Sequence, residues 1–170
     1  GALIHMAQAF GIDHETLEEE YPRVFEQPFD SDRKRMTTVH RMKNRWTAYT
    51  KGAVDEMLPL CTHILTSEGV RPVTETDRAN IMKLCLSMSE DALRVLGFAM
   101  RTLTDLPVSA EEDIESDLIF IGVAGMIDPP RKEVAESVRI CREAGIRTIM
   151  ITGDHRVTAL AIARELDIYR

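Results

Sequence analysis

Apolar residues fall at helical spacing between Ala2 and Phe10, at Leu3, Ile4, Met6, Ala7 and Phe10, and Gly11 is placed to end that helix. Asp13 is placed to cap a short acidic helix running to Glu20. Pro22 and Pro28 then punctuate what reads as a loop. From Arg35 to Lys51, "RMTTVHRMKNRWTAYTK", polar and β-branched positions alternate, which predicts a β-hairpin turning at Lys43-Asn44. After Gly52, the stretch Ala53–Cys61 predicts a helix, and "THILTSEGVRPV" a second, short hairpin turning at Glu68-Gly69. Thr74 to Met88 is amphipathic, with Ile81, Leu84, Cys85 and Met88 on one side and Thr74 as N-cap. "ALRVLGFAMRTL" and "LIFIGVAGMI" are dense apolar runs that predict central strands.

The pattern breaks at Asp128-Pro129-Pro130, where two prolines fix φ and keep the preceding residue out of a helix, as suits a stiff hinge. Beyond it the spacing predicts a helix over Lys132–Ala144 ended by Gly145, a strand over Arg147–Ile151 and a helix over His155–Leu166. With the strand ending at Ile127, this is expected to form a βαβα piece of a parallel sheet. A right-handed crossover would then bring both strand ends to one edge.

Composition narrows the picture. The chain has 170 residues, 44% hydrophobic and 29% charged, as in an ordinary soluble globular protein. Its longest apolar run, Leu118–Ile127, is far short of the roughly 20 residues of a membrane-spanning helix. No secretory signal is expected. A net charge of −7 argues against a general nucleic-acid binder. The charge is uneven: Glu18-Glu19-Glu20 precede a basic run of Arg33, Lys34, Arg35, Arg41, Lys43, Arg45 and Lys51. That run is either a solvated hairpin face or a local anion site. The 3 cysteines and 5 histidines have no metal-binding spacing, so no protein-only metal site is expected.

Three short stretches carry candidate chemistry. Thr152-Gly153-Asp154-His155 follows the predicted tail strand; its Gly allows a tight turn and its Thr or Asp can cap the next helix, but the same geometry favours a phosphate. Asp128-Pro129-Pro130-Arg131 ends the previous apolar strand, and brings a carboxylate and a cation to the same expected edge. Lys51-Gly52-Ala53 joins a strand to a helix; the lysine either snorkels or binds, and Gly52 permits close approach of a flat ligand.

"KGA", "DPPR" and "TGDH" in this order, with "FDSDRKRM" and "LRVLGFA", resemble the P-type ATPases over nearly the whole chain, closest to the bacterial-like P2 group that includes calcium and sodium–potassium pumps. The resemblance implies an α+β fold. An antiparallel sheet with flanking helices forms an N-terminally truncated nucleotide-binding domain over 1–124. The hinge and a partial α/β, haloacid-dehalogenase-like phosphorylation domain follow over 125–170. It implies ATP as ligand and Mg2+ held mostly by residues outside this chain. Phe29 would stack on adenine, Lys51 and Gly52 border the ring, Lys34 lie toward the phosphates, Arg94 reach the β-phosphate region and Arg131 touch nucleotide across the hinge. Asp128, Thr152, Gly153 and Asp154 would surround the phosphoryl group as orienting residues.

The same resemblance implies a cytoplasmic part of an integral membrane pump. Its partners are the remaining phosphorylation, actuator and transmembrane domains, with no nucleic acid. The phosphorylated aspartate of the family lies in a DKTGT motif, which this sequence lacks, so the chain is expected to bind ATP without turnover. The adenine-holding glutamate would precede Gly1, and the magnesium-binding GDGxND segment would follow Arg170. Ser31 stands where the family often has arginine, and His155 where asparagine is common. Transported-ion selection belongs to intramembrane residues; calcium is a guess from overall similarity. The alternative is a stand-alone nucleotide-responsive or protein-interaction domain whose basic hairpin docks an acidic partner. The lack of a DKTG nucleophile argues against a haloacid-dehalogenase-type phosphatase.

Overall fold

The computed structural model describes residues 2–107, 109, 113–127, 131–153 and 156–169, with Lys132 described through its backbone only. Helices α1 (Ala2–Ala9) and α2 (His14–Glu20) come first. Gly11 separates them at φ 73°, the left-handed conformation that ends a helix most easily at glycine. The Asp13 side chain accepts from the Thr16 amide at 2.9 Å and caps α2, as its position predicts.

Strands β1 (Arg23–Asp30), β2 (Arg35–Met42) and β3 (Arg45–Gly52) follow, and β2 and β3 form the predicted hairpin, with Lys43 at φ 55° in its turn. The stretch around Pro28 is not the loop its prolines announce. It is β1, antiparallel to β2, with a register shift between Gln27 and Asp30. An edge strand accepts proline because one side of its backbone needs no ladder partner. The predicted helix over Ala53–Cys61 is shorter, with α3 (Val54–Met57) giving way to a 3-10 turn over Leu58–Leu60 that holds Pro59.

The hairpin β4 (Cys61–Thr66) and β5 (Gly69–Pro72) precedes α4 (Glu75–Glu90). Thr74 caps α4: the Asp77 amide donates to its hydroxyl at 3.2 Å, and its own amide donates to the Asp77 carboxylate at 2.9 Å. On α4 Cys85 is buried and Ile81 and Met88 are half-buried, whereas Leu84, assigned by spacing to that side, is exposed. The two dense apolar runs are β6 (Arg94–Leu103) and β7 (Leu118–Met126).

The strands form one seven-stranded sheet in the order β1-β2-β3-β6-β7-β4-β5. It is mixed, because β7 pairs parallel with β4 while the pairings β1–β2, β2–β3, β3–β6 and β4–β5 are antiparallel. Its inner core joins Val39, Ala48 and Ile114, with Phe25, Trp46 and Leu103 packed around them. Met57, Leu118 and Cys61 are buried as well.

Contacts divide the chain into two compact units, Gly1–Ala79 with Leu96–Ala124, and Asn80–Val95 with Gly125–Arg170. The second holds α5 (Lys132–Glu143) and α6 (Arg156–Glu165). Gly145, at φ 74°, ends α5 with its amide donating to the Arg142 carbonyl at 2.9 Å. The expected parallel sheet is not formed. Arg147–Ile151 has no strand pairing, Ile151 is 94% exposed, and β7 belongs to the mixed sheet instead. A strand exists only through its ladder, and among the described residues this segment has none. Thr152 accordingly follows no strand, and Asp128, its expected neighbour at a shared sheet edge, lies outside the described residues.

Candidate functional site

Register gathers the first cluster of candidates at one end of the sheet. Asp30 pairs with Arg35, Arg35 with Gly52, and Gly52 with Gly97, so a single row crosses β1, β2, β3 and β6. Phe29, Lys34 and Lys51 each adjoin that row in sequence. Lys51 pairs with Met36 on one side and Phe98 on the other. Its ammonium has no ion pair among the described residues, and the residue is half-buried in the middle of the sheet.

The loop between β1 and β2 is built by its own sequence. The Asp30 carboxylate accepts from the amides of Asp32 (3.0 Å) and Arg33 (2.8 Å), and the Lys34 amide donates to the Asp30 carbonyl at 2.7 Å. Donation by the Arg33 amide first, outweighing desolvation, holds the Asp30 carboxyl below its ordinary range. Lys34 sits at φ 50°, a left-handed conformation costly for a residue with a side chain, and its carbonyl accepts from the Ala53 amide at 3.0 Å. Phe29 lies within the register shift and is 63% exposed, a large ring facing solvent beside a braced turn.

Glu115 supplies much of the bracing. Only 6% exposed, it accepts from Arg33 Nη1 at 2.6 Å and Arg35 Nε at 2.7 Å through one oxygen, and from Thr37 Oγ1 at 2.7 Å through the other. Thr37 and Thr50 hydroxyls meet at 2.9 Å, which extends the network into β3. Arg33 also donates to the Pro28 carbonyl at 2.8 Å, just before Phe29. Burial pushes the Glu115 carboxyl up, but hydrogen bonds from Arg33 and Thr37 with the Arg35 charge outweigh it and leave it below its ordinary range.

The basic run is therefore neither one solvated face nor one anion patch. Arg33 and Arg35 share the Glu115 carboxylate, Arg33 Nε lies 3.9 Å from Asp30 as well, and Lys34 donates to Glu56 at 2.8 Å. Arg41 lies over the Trp46 ring at 5.9 Å. Lys51 is the half-buried cation of the run left without an ion pair among the described residues.

Gly52 has a different reason from the one its sequence position offers. A Cβ there would lie 2.5 Å from Arg35 Cβ and 2.6 Å from the Lys34 carbonyl oxygen, so the space is taken by the start of β2 and not left open for a ligand. Gly153 is the reverse: nothing lies within 4 Å of its would-be Cβ, and its φ is outside the left-handed range, so neither crowding nor conformation demands glycine.

The remaining candidates belong to the other unit. Arg94 opens β6 and is exposed. Arg131 is the N-cap residue of α5, exposed and without a side-chain capping bond. Thr152 is exposed in the segment before α6. Asp128 and Asp154 lie outside the described residues.

A sequence model described as "P-type ATPase, cytoplasmic domain N" matches residues 1–133. The chain belongs to the P-type ATPases. Relatives in this family include calcium-transporting ATPase 1 of Bacillus cereus, 48% identical over 98% of this chain. The cation-transporting ATPase pma1 of Synechocystis is 40% identical over 99% of it, and calcium-transporting ATPase 1 of Saccharomyces cerevisiae 40% over 86%. These alignments support placement in the P2 group. The chain spans 19%, 18% and 16% of the length of those relatives.

For a P-type ATPase domain, the sheet end described above contains residues that motif reading alone passes over. Glu115 sits in an acid-rich stretch, "EEDIESD", with no periodic signal, and reaches Arg33 across 82 positions. Glu56 carries no motif either; its place in the first turn of α3 is what brings it to Lys34.

Proposed function

We propose that the sheet end at Phe29, Lys34, Lys51 and Gly52 binds ATP for a pump that couples ATP hydrolysis, through an aspartyl phosphate, to cation transport across a membrane. The observation that carries this reading is the exposed Phe29 ring beside a braced turn, at the same end of the sheet as a Lys51 ammonium with no ion pair among the described residues. Phe29 offers a flat apolar plate for the base and Lys51 a charge beside it. Lys34 faces the phosphates, and Gly52 holds the Lys34 turn close to β3. ATP supplies the phosphoryl group; the residues here hold and orient it.

In the same reading Arg94 and Arg131 add cations to the nucleotide. Asp128, Thr152, Gly153 and Asp154 orient the phosphoryl group, in a phosphorylation domain that begins near residue 125. Such a transfer depends chiefly on positioning and charge neutralisation. Among the described residues no cluster of three carboxylate, imidazole or thiol groups could hold a metal ion, and no ligand to Mg2+ is assigned. No described helix is long and apolar enough to cross a membrane. Transport therefore belongs to the pump's other domains, which are the proposed partners, and this chain serves as its cytoplasmic nucleotide-binding part. Calcium, named for two of the relatives above, is the proposed cation.

Stacking on one aromatic ring contributes about 1–3 kcal/mol. Each charge-assisted contact adds about 1.5–3 kcal/mol, against at least about 4 kcal/mol lost on association. Two such contacts and one ring leave a Kd of about 0.1 mM or weaker. Calorimetric titration with ATP is expected to show Phe29→Ala and Lys51→Ala each weakening binding about tenfold, roughly 1.4 kcal/mol, with unchanged melting. Equal affinity in both variants and the parent protein would remove the site assignment.

A further inference from the structure

Lys34 already has an anion. Its ammonium donates to Glu56 Oε1 at 2.8 Å, across the gap between the β1–β2 turn and the first turn of α3. The hydrogen bond and charge of Glu56 raise the Lys34 pKa, with a smaller contribution from Asp55, and Lys34 lowers that of Glu56. A second tie holds the same two segments together, since the Ala53 amide donates to the Lys34 carbonyl at 3.0 Å. The backbone tie fixes where Lys34 sits, and the carboxylate fixes where its side chain points.

We infer that Glu56 is a resident stand-in for phosphate, a carboxylate that a polyphosphate must displace from Lys34 in order to bind. The inference rests on the nucleotide reading above. A carboxylate and a phosphate both offer oxygens to the same ammonium, so the two compete for it. The pair is exposed on both sides, at 50% and 41% for the two side chains, so the exchange is open to solvent and modest in strength. Adenosine, which has no phosphate, has no reason to disturb it. Glu56 thereby sets how much affinity a nucleotide gains from its phosphates, and is a specificity-determining residue for phosphorylated over unphosphorylated nucleoside.

The test is an amide chemical-shift titration of the 170-residue chain with ATP and, separately, with adenosine. It is run on the parent protein, Glu56→Gln, Lys34→Ala and the double variant. Glu56→Gln is expected to tighten ATP binding about two- to fivefold, the range that releasing an exposed ion pair allows. Adenosine binding stays unchanged, and the gain disappears in the Lys34→Ala background. Unaltered ATP affinity in Glu56→Gln overturns the inference and leaves the site intact. So does an equal gain for adenosine, or a gain that persists without Lys34. A parent protein that responds to neither ligand removes the site itself, and this inference with it.

Discussion

Replacing Glu115 by alanine is expected to lower the unfolding free energy by about 3 kcal/mol. The carboxylate is 6% exposed, and removing it takes the close ion pair from two guanidinium groups, Arg33 and Arg35, that are themselves only 27% and 15% exposed. Arg33 is left a 3.9 Å contact with Asp30, and Arg35 a carbonyl. Breaking one side of a buried pair costs more than the pair contributes, because the remaining charge keeps its desolvation penalty. Thr37 loses its acceptor as well. Glu115→Gln keeps the shape and an acceptor oxygen but not the charge, and should fall between the two.

The pH dependence has a definite sign. The folded Glu115 pKa lies below the unfolded one, so its contribution is fully present above the ordinary glutamate range and fades as pH falls through the folded value. Urea unfolding of the parent and Glu115→Gln should therefore differ by a constant amount at neutral pH and converge in acid. A difference that grows in acid contradicts the assignment.

Gly52→Ala is the second large effect, expected at about 3 kcal/mol, the upper end of the overpacking range. The added methyl would fall 2.5 Å from Arg35 Cβ, 2.6 Å from the Lys34 carbonyl oxygen and 2.8 Å from Arg35 Cα. The oxygen and Cα are backbone atoms of the adjoining strand and cannot rotate away. Relief requires β2 to shift from β3 at its first residues, which moves the turn that carries Lys34. Both a lower melting temperature and ATP binding weakened at least tenfold are expected. Gly153→Ala is the control: with nothing within 4 Å of the new carbon, its stability should stay within about 0.5 kcal/mol of the parent. If the two substitutions behaved alike, the packing account of Gly52 would be wrong.

Elements governed by local chemistry were legible in the sequence. Asp13 and Thr74 announce helix starts because their side chains accept from amides three residues on, and they do so here. Gly11 and Gly145 mark stops because both adopt the left-handed conformation that glycine takes without steric cost. The β2–β3 hairpin follows from alternation and a turn-forming Lys43-Asn44.

What was not legible depended on partners far away in the chain. β1 hides behind Pro28, which a central strand would exclude but an edge strand tolerates. The tail segment Arg147–Ile151 has a strand's composition but no ladder among the described residues. The parallel pairing of β7 with β4 joins residues more than fifty positions apart, as in Cys61 with Leu118, and no local pattern encodes it.

The site divides along the same line. Phe29, Lys34 and Lys51 were visible as motif positions, and register places them at one sheet end. Glu56 and Glu115, which pair with Lys34, Arg33 and Arg35 of the basic run, became visible only once the chain was folded.

The most direct measurement is the map of backbone amide shifts as ATP is added to millimolar concentration. The account predicts that the largest changes fall on Phe29–Arg35 and Lys51–Ala53, with the far end of the hairpin at Lys43-Asn44 unmoved. A silent spectrum, or shifts confined to the apolar cavity lined by Leu3, Leu17 and Tyr49 beneath α1 and α2, would contradict it.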